Sequence, residues 1–106
     1  MRIRKDTDTL EKEEVSLIAS ASDALAHPAR VELFRYIYTQ NLKGTPVCNK
    51  DLVLAFDYSQ ATISQHMKKF LISGLIKAEK KGTYSYYLVN LGMLAKYLDA
   101  VKKLNG

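Results

Sequence analysis

Between Ser59 and Gly82 the chain gathers Ser59, Gln60, Thr62, Ser64 and Gln65, then Lys68, Lys69, Lys77, Lys80 and Lys81, with Glu79 as the lone acid of that stretch. Amide and hydroxyl side chains at the head of a helix can donate to and accept from base edges in the major groove. Ammonium groups around them can clamp phosphates. The chemistry on offer is recognition of a polyanion. Ser59 alone proves little, because serine caps helices in any protein, and a lysine on a helix flank also serves solubility. The joint occurrence of turn, polar helix head and basic hairpin in one short stretch carries the reading.

Other chemistry lacks its parts. Cys48 is the single cysteine, which excludes an intramolecular disulfide and any site needing two cysteines of one chain, such as a zinc ribbon. It stays as the residue through which a redox-responsive form would act, set against the commoner role of a buried small apolar residue. No glycine-rich phosphate loop, apolar-flanked carboxylate pair or Cys–His spacing is present, so no enzymatic activity, cofactor or metal site is expected.

The elements that must position these residues follow from periodicity. From about Asp8 to Ala26, Val15, Ile18, Ala21 and Leu25 form one helical stripe, with Thr7 or Asp8 as cap and Glu11, Glu13 and Glu14 set against the positive end of the dipole. His27-Pro28 ends that helix and starts another, running to about Gln40 with Val31, Phe34, Ile37 and Tyr38 apolar. Asn41 to Val47 has the composition of a loop. Asn49 is expected to cap a short helix from about Lys50 to Phe56, and Ser59 a longer one to Ser73, closed by Gly74. At 100° per residue, Ile63, Met67, Phe70 and Leu71 share one face, while Ala61, Gln65, Lys68 and Lys69 lie opposite and Thr62 and His66 border them.

After Gly74 the period changes. Leu75 to Glu79 and Tyr84 to Val89 have strand character, and Lys80-Lys81-Gly82-Thr83 reads as the hairpin tip. A final helix, about Leu91 to Leu104, is too apolar on one side to leave in water. The fold class is therefore mainly α with a small β-hairpin, a winged helix-turn-helix of about five helices and a two-stranded wing. No linker or repeat divides it, so residues 1–106 are expected to form one domain.

Bulk properties agree. A 106-residue chain that is 47% apolar can build one core. Its net charge is +5, distributed as −2 over residues 1–27, +1 over 28–58 and +6 over 59–106, so the cationic surface is expected where the readout residues lie. Neither a bilayer-spanning apolar run nor a signal-like start is present, which places the protein in the cytoplasm with no membrane partner.

Ala24-Leu25-Ala26-His27-Pro28-Ala29-Arg30 and Asp51-Leu52 through Leu71, above all Ser59-Gln60-Ala61-Thr62-Ile63-Ser64-Gln65-His66-Met67-Lys68, resemble the ArsR/SmtB family of winged helix-turn-helix repressors. Gly74-Leu75-Ile76 and Gly82 to Tyr87 continue the match, which spans about residues 20–90. The resemblance implies a homodimer joined through its first and last helices, with Leu10, Val15, Ile18, Leu94, Tyr97, Leu98 and Val101 at the interface. It also implies a repressor on an inverted-repeat operator in double-stranded DNA, and it puts His66 at the histidine position of the recognition helix.

The family's metal-sensing Cys-Val-Cys-Asp-Leu is replaced here by Cys48-Asn49-Lys50-Asp51-Leu52, and the last helix offers only Asp99 of the Asp and His pairs used elsewhere. One soft ligand beside an ammonium is a poor metal site. Thr83 stands where an arginine is frequent in the wing, and Leu54 where a polar residue is usual. The expected DNA-binding residues are Gln60, Thr62, Ser64 and Gln65 nearest the bases, Ser59 and His66 beside them with His66 packing or contacting the backbone, and Lys68, Lys69, Lys80, Lys81 and Tyr84 on phosphates or the neighbouring groove. The alternatives are a winged-helix module for protein contact, or a redox-responsive repressor using Cys48.

Overall fold

Proline fixes the geometry of a first helical residue and pushes its predecessor out of the helical region. His27 is accordingly extended (φ −143°, ψ 132°), and its Nδ1 accepts the Ala29 N–H at 3.2 Å. The computed structural model describes residues 10–105. In chain order these form α1 (Lys12–Ala24), α2 (Pro28–Leu42), β1 (Val47–Cys48), α3 (Asn49–Phe56), α4 (Gln60–Ser73), β2 (Ile76–Lys81), β3 (Tyr84–Val89) and α5 (Leu91–Lys102), followed by a single 3-10 turn (Lys103–Asn105).

The five helices and the hairpin stand as expected, and the differences lie at their ends. The caps expected at Thr7 and Asp8 fall outside the described residues. The N-cap of α1 is Glu11, in a reciprocal capping box with Glu14, so Leu10 precedes the helix. That helix stops at Ala24, α2 continues to Leu42, and α5 yields to the 3-10 turn after Lys102. Asn49 does not cap α3. Cys48 does, because the Asp51 carboxylate accepts its N–H at 2.9 Å while the Asn49 amide is engaged elsewhere. Lys80 and Lys81 are not the hairpin tip but the end of β2. Gly82 and Thr83 alone make the turn, with positive φ at Gly82 (64°) and not at Thr83, the pattern of a type II′ hairpin.

The largest departure is a third strand within the stretch expected as a loop. Val47 and Cys48 pair antiparallel with Tyr87 and Tyr86, giving a sheet in the order β1-β3-β2. Two residues are too short for alternation to register in a sequence.

One core organises these elements. Ile63, Met67 and Phe70 of α4 are wholly buried, with Leu33 and Ile37 from α2, Leu52 from α3, and Leu75 and Ile76 leading into the wing. The Phe34 and Phe70 rings stack with centroids 5.5 Å apart. Leu71, expected on the same face, lies at its margin and is 40% exposed. Gly74, at φ 82°, ends α4 in the left-handed geometry that glycine adopts without a Cβ penalty. Asn41 ties α2 to the sheet by accepting the Val89 N–H at 2.8 Å. These contacts leave the opposite face of α4 outward.

Candidate nucleic-acid interface

Asp57, Tyr58 and Ser59 make the turn between α3 and α4, with Asp57 in the left-handed region at φ 56°. The Ser59 hydroxyl accepts the Thr62 N–H at 3.1 Å and donates to Thr62 Oγ1 at 3.0 Å. Thr62 therefore keeps its own hydroxyl proton to donate outward. Gln60, Ser64, Gln65 and Lys68 are exposed; for Gln65 and Lys68 the 100° arithmetic requires it, since both lie opposite Ile63.

The other expected residues are placed more specifically. Ser64 Oγ accepts from the Asn49 amide at 2.8 Å, and Asn49 Oδ1 accepts from the Tyr87 hydroxyl at 2.6 Å. This relay joins α3, α4 and β3. Lys69 Nζ lies 2.8 Å from Asp23 Oδ2 and so ties α4 to α1; that ammonium holds the carboxyl below its ordinary range. His66 is half-buried against α2, with Nδ1 3.2 Å from Arg30 Nη1 and its ring 5.4 Å from the His27 ring. Burial, then the charges of Arg30 and His27, lowers its pKa.

Arg30 is a residue the sequence did not single out. Its guanidinium also donates to the carbonyls of Ala24 at 2.8 Å and Asp23 at 3.3 Å, so it closes the end of α1 while facing His66. Asn49 was expected only as a cap. No short-range signal reveals the Arg30–His66 contact or the Asn49 relay, because those partners lie 15 to 38 residues away.

On the wing, Lys81 pairs with Tyr84 and Lys80 with Ser85. Successive strand residues face opposite ways, so Lys80 shares the face of Ala78 and Tyr87, while Lys81 and Tyr84 share the other. Tyr84 is exposed, its ring 6.2 Å from that of Tyr86. An open cleft of about 340 Å³ separates the head of α4 from the wing. The arrangement presents a polar helix face and a basic hairpin on either side of one groove.

Cys48 is buried, and its thiol donates to Asp51 Oδ2 at 3.3 Å. Among the described residues no three His, Cys, Asp or Glu side chains converge to hold a metal ion, and no helix is long and apolar enough to cross a membrane. Of the expected interface residues, Val15 on α1 and Leu98 on α5 are about half exposed (52% and 51%). Ile18 and Val101 are half-buried. Leu94 and Tyr97 pack against the core, and the Tyr97 hydroxyl meets Ser22 Oγ at 2.9 Å.

No family model matches the chain. It is 38% identical over 87 residues to the arsenical resistance operon repressor of Bacillus subtilis, a match covering 78% of this chain and 79% of that protein. An ArsR-like transcriptional regulator from a Rhodococcus species superposes with a TM-score of 0.75 at 18% identity, covering 88% of this chain and 83% of its own. The homodimeric winged helix-turn-helix DNA-binding domain of a Mycobacterium bovis protein does so with a TM-score of 0.65 at 17% identity, covering 92% and 89%. The structural likenesses carry the fold, and the bacillar relative carries the kinship.

Proposed function

This chain belongs to the ArsR/SmtB family of winged helix-turn-helix transcriptional regulators, and we propose that it is a homodimeric repressor reading an inverted-repeat operator in double-stranded DNA. The observation that carries the reading is the pairing, across one groove, of the exposed polar head of α4 with the basic wing. In this reading Gln60, Thr62, Ser64 and Gln65 address base edges. Lys68, Lys80, Lys81 and Tyr84 take phosphates or the adjacent groove, and Lys69 does so by exchanging Asp23 for a phosphate. Ser59 sets the helix start and His66 its seat on α2.

Residues 1–106 act as one unit, and dimerisation uses α1 and α5, where Val15, Leu91 and Leu98 are exposed apolar residues, with Leu104 exposed on the 3-10 turn that follows. In this reading the repressor lacks the family's usual metal-sensing sites, since Lys50 stands among the residues that would have to supply thiolates. A winged helix used for protein contact would be expected to deplete lysine from its contact face, which this face does not.

The test is selection of bound duplexes from a random DNA pool at near-physiological salt. The expected outcome is an enriched inverted repeat with half-sites about one helical turn apart. Retention without an enriched motif would leave electrostatic binding alone, and no retention would move the protein-contact role to first place.

A further inference from the structure

We infer that the cleft between α4 and the wing seats a DNA backbone phosphate and that Lys50, at the start of α3, is its cationic contact. Asn49 and Lys50 line one side of the cleft, Gln60 the head of α4, and Thr83, Tyr84 and Ser85 the wing. Apart from Cys48 and Tyr87, which also line the cleft but are buried, every lining side chain is a hydroxyl, an amide or an ammonium. All can donate a hydrogen bond, and none is a carboxylate that would repel an anion.

Lys50 is exposed and makes no ion pair among the described residues. The neighbouring acid, Asp51, turns one carboxylate oxygen onto the N–H and thiol of Cys48 and does not line the cleft. The width of the cleft is held by the relay from Tyr87 through Asn49 to Ser64, which joins wing and recognition helix without intervening loop. A site fixed before its ligand arrives loses less freedom on binding. The occupant is assigned as a phosphate of the same duplex that α4 reads, since a strand entering the groove between α4 and the wing must pass over this cleft. The inference rests on the DNA-binding reading and extends it to a residue outside the helix and the wing.

The experiment is fluorescence anisotropy of the selected duplex and of a random duplex across a salt series, for the wild-type chain, Lys50→Gln and Arg35→Gln. Arg35 is exposed on α2, lines neither the cleft nor the dimerisation helices, and controls for net charge. Lys50→Gln is expected to weaken both duplexes by the same factor and to make the slope of log K against log[salt] shallower by about 1.8, the value of one phosphate for each protomer of the dimer, while Arg35→Gln leaves the slope unchanged. A scan of single methylphosphonates through the half-site should find one position that weakens the wild-type protein and leaves Lys50→Gln unaffected. Equal slopes for wild type and Lys50→Gln, or equal sensitivity of both to every methylphosphonate, would overturn the phosphate seat while DNA binding stands. Failure of the wild-type chain to bind any duplex would overturn both.

Discussion

Gln65 and Lys81 are both exposed, yet the roles proposed for them in DNA binding predict opposite signatures. A glutamine can make two hydrogen bonds to one base edge, so Gln65→Ala is expected to relax discrimination at a single base pair by about 1–3 kcal/mol. Lys81→Ala should weaken all sequences alike and make the salt slope shallower. Binding titrations with the selected site and its point variants check both, and equal loss on specific and random duplexes would remove Gln65 as a base reader. His66 carries a different consequence. Its lowered pKa means that the unfolded chain takes up a proton near the ordinary value of 6.5 while the folded chain resists it. Stability is then at its full value above that pH and falls as the pH drops toward the lowered folded value. Thermal melts between pH 7 and 5 should show a steeper decline for the wild-type chain than for His66→Gln, and parallel declines would show that the histidine's seat is not the sensitive one. The exposure of Gln65 and Lys68 was legible in the sequence because helical periodicity fixes it. The Lys69–Asp23 pair was not, since its members lie 46 residues apart.

At the scale of elements, α4 shows what a boundary residue contributes. Ser59 and Gly74 mark both ends of the helix in the sequence and in the structure alike, because their geometry depends on the local backbone alone. The Ser59 oxygen satisfies the Thr62 N–H, one of the donors a helix start leaves unpaired. Ser59→Ala is expected to destabilise the fold by about 1 kcal/mol, read as a lower midpoint in urea at unchanged slope. An unchanged midpoint would mean that water replaces the cap without cost. Asn49 shows the converse. Its type suits a cap, but a hydroxyl on β3 and another on α4 compete for its amide and win, which leaves the cap to Cys48. Long-range pairing with β3 likewise makes β1 a strand, and those tertiary partners are not contained in local patterns. The extension of β2 through Lys80 and Lys81 is instead local, because the two-residue turn at Gly82 and Thr83 lets both pair at once with Ser85 and Tyr84.

At the scale of the whole molecule, the apolar surface left on α1 and α5 becomes decisive. These helices lie side by side and are linked at their edges by Ser22–Tyr97 and by Lys103 Nζ on Glu14 Oε2 at 2.7 Å. Between those links Val15 and Leu98 keep about half their surface in water, as does Leu91 at the head of α5. A second copy applied to this face would cover all three, which a single chain of this size cannot do for itself. Leu98→Lys places a charge where that copy must pack, and desolvating it unpaired is costly. Sedimentation is therefore expected to report a dimer for the wild-type chain and a monomer for Leu98→Lys, with the melting temperature of the monomer little changed because Leu98 lies outside the buried core. The consequence for DNA follows from linkage of two half-sites. A dimer bound through one half engages the second at high effective concentration, a gain on the order of 10²–10⁴. Leu98→Lys should thus lose affinity for the full inverted repeat by a factor in that range while binding an isolated half-site as the wild-type chain does. If the variant stays dimeric, or loses full site and half-site equally, the symmetry of the operator must come from contacts other than α1 and α5.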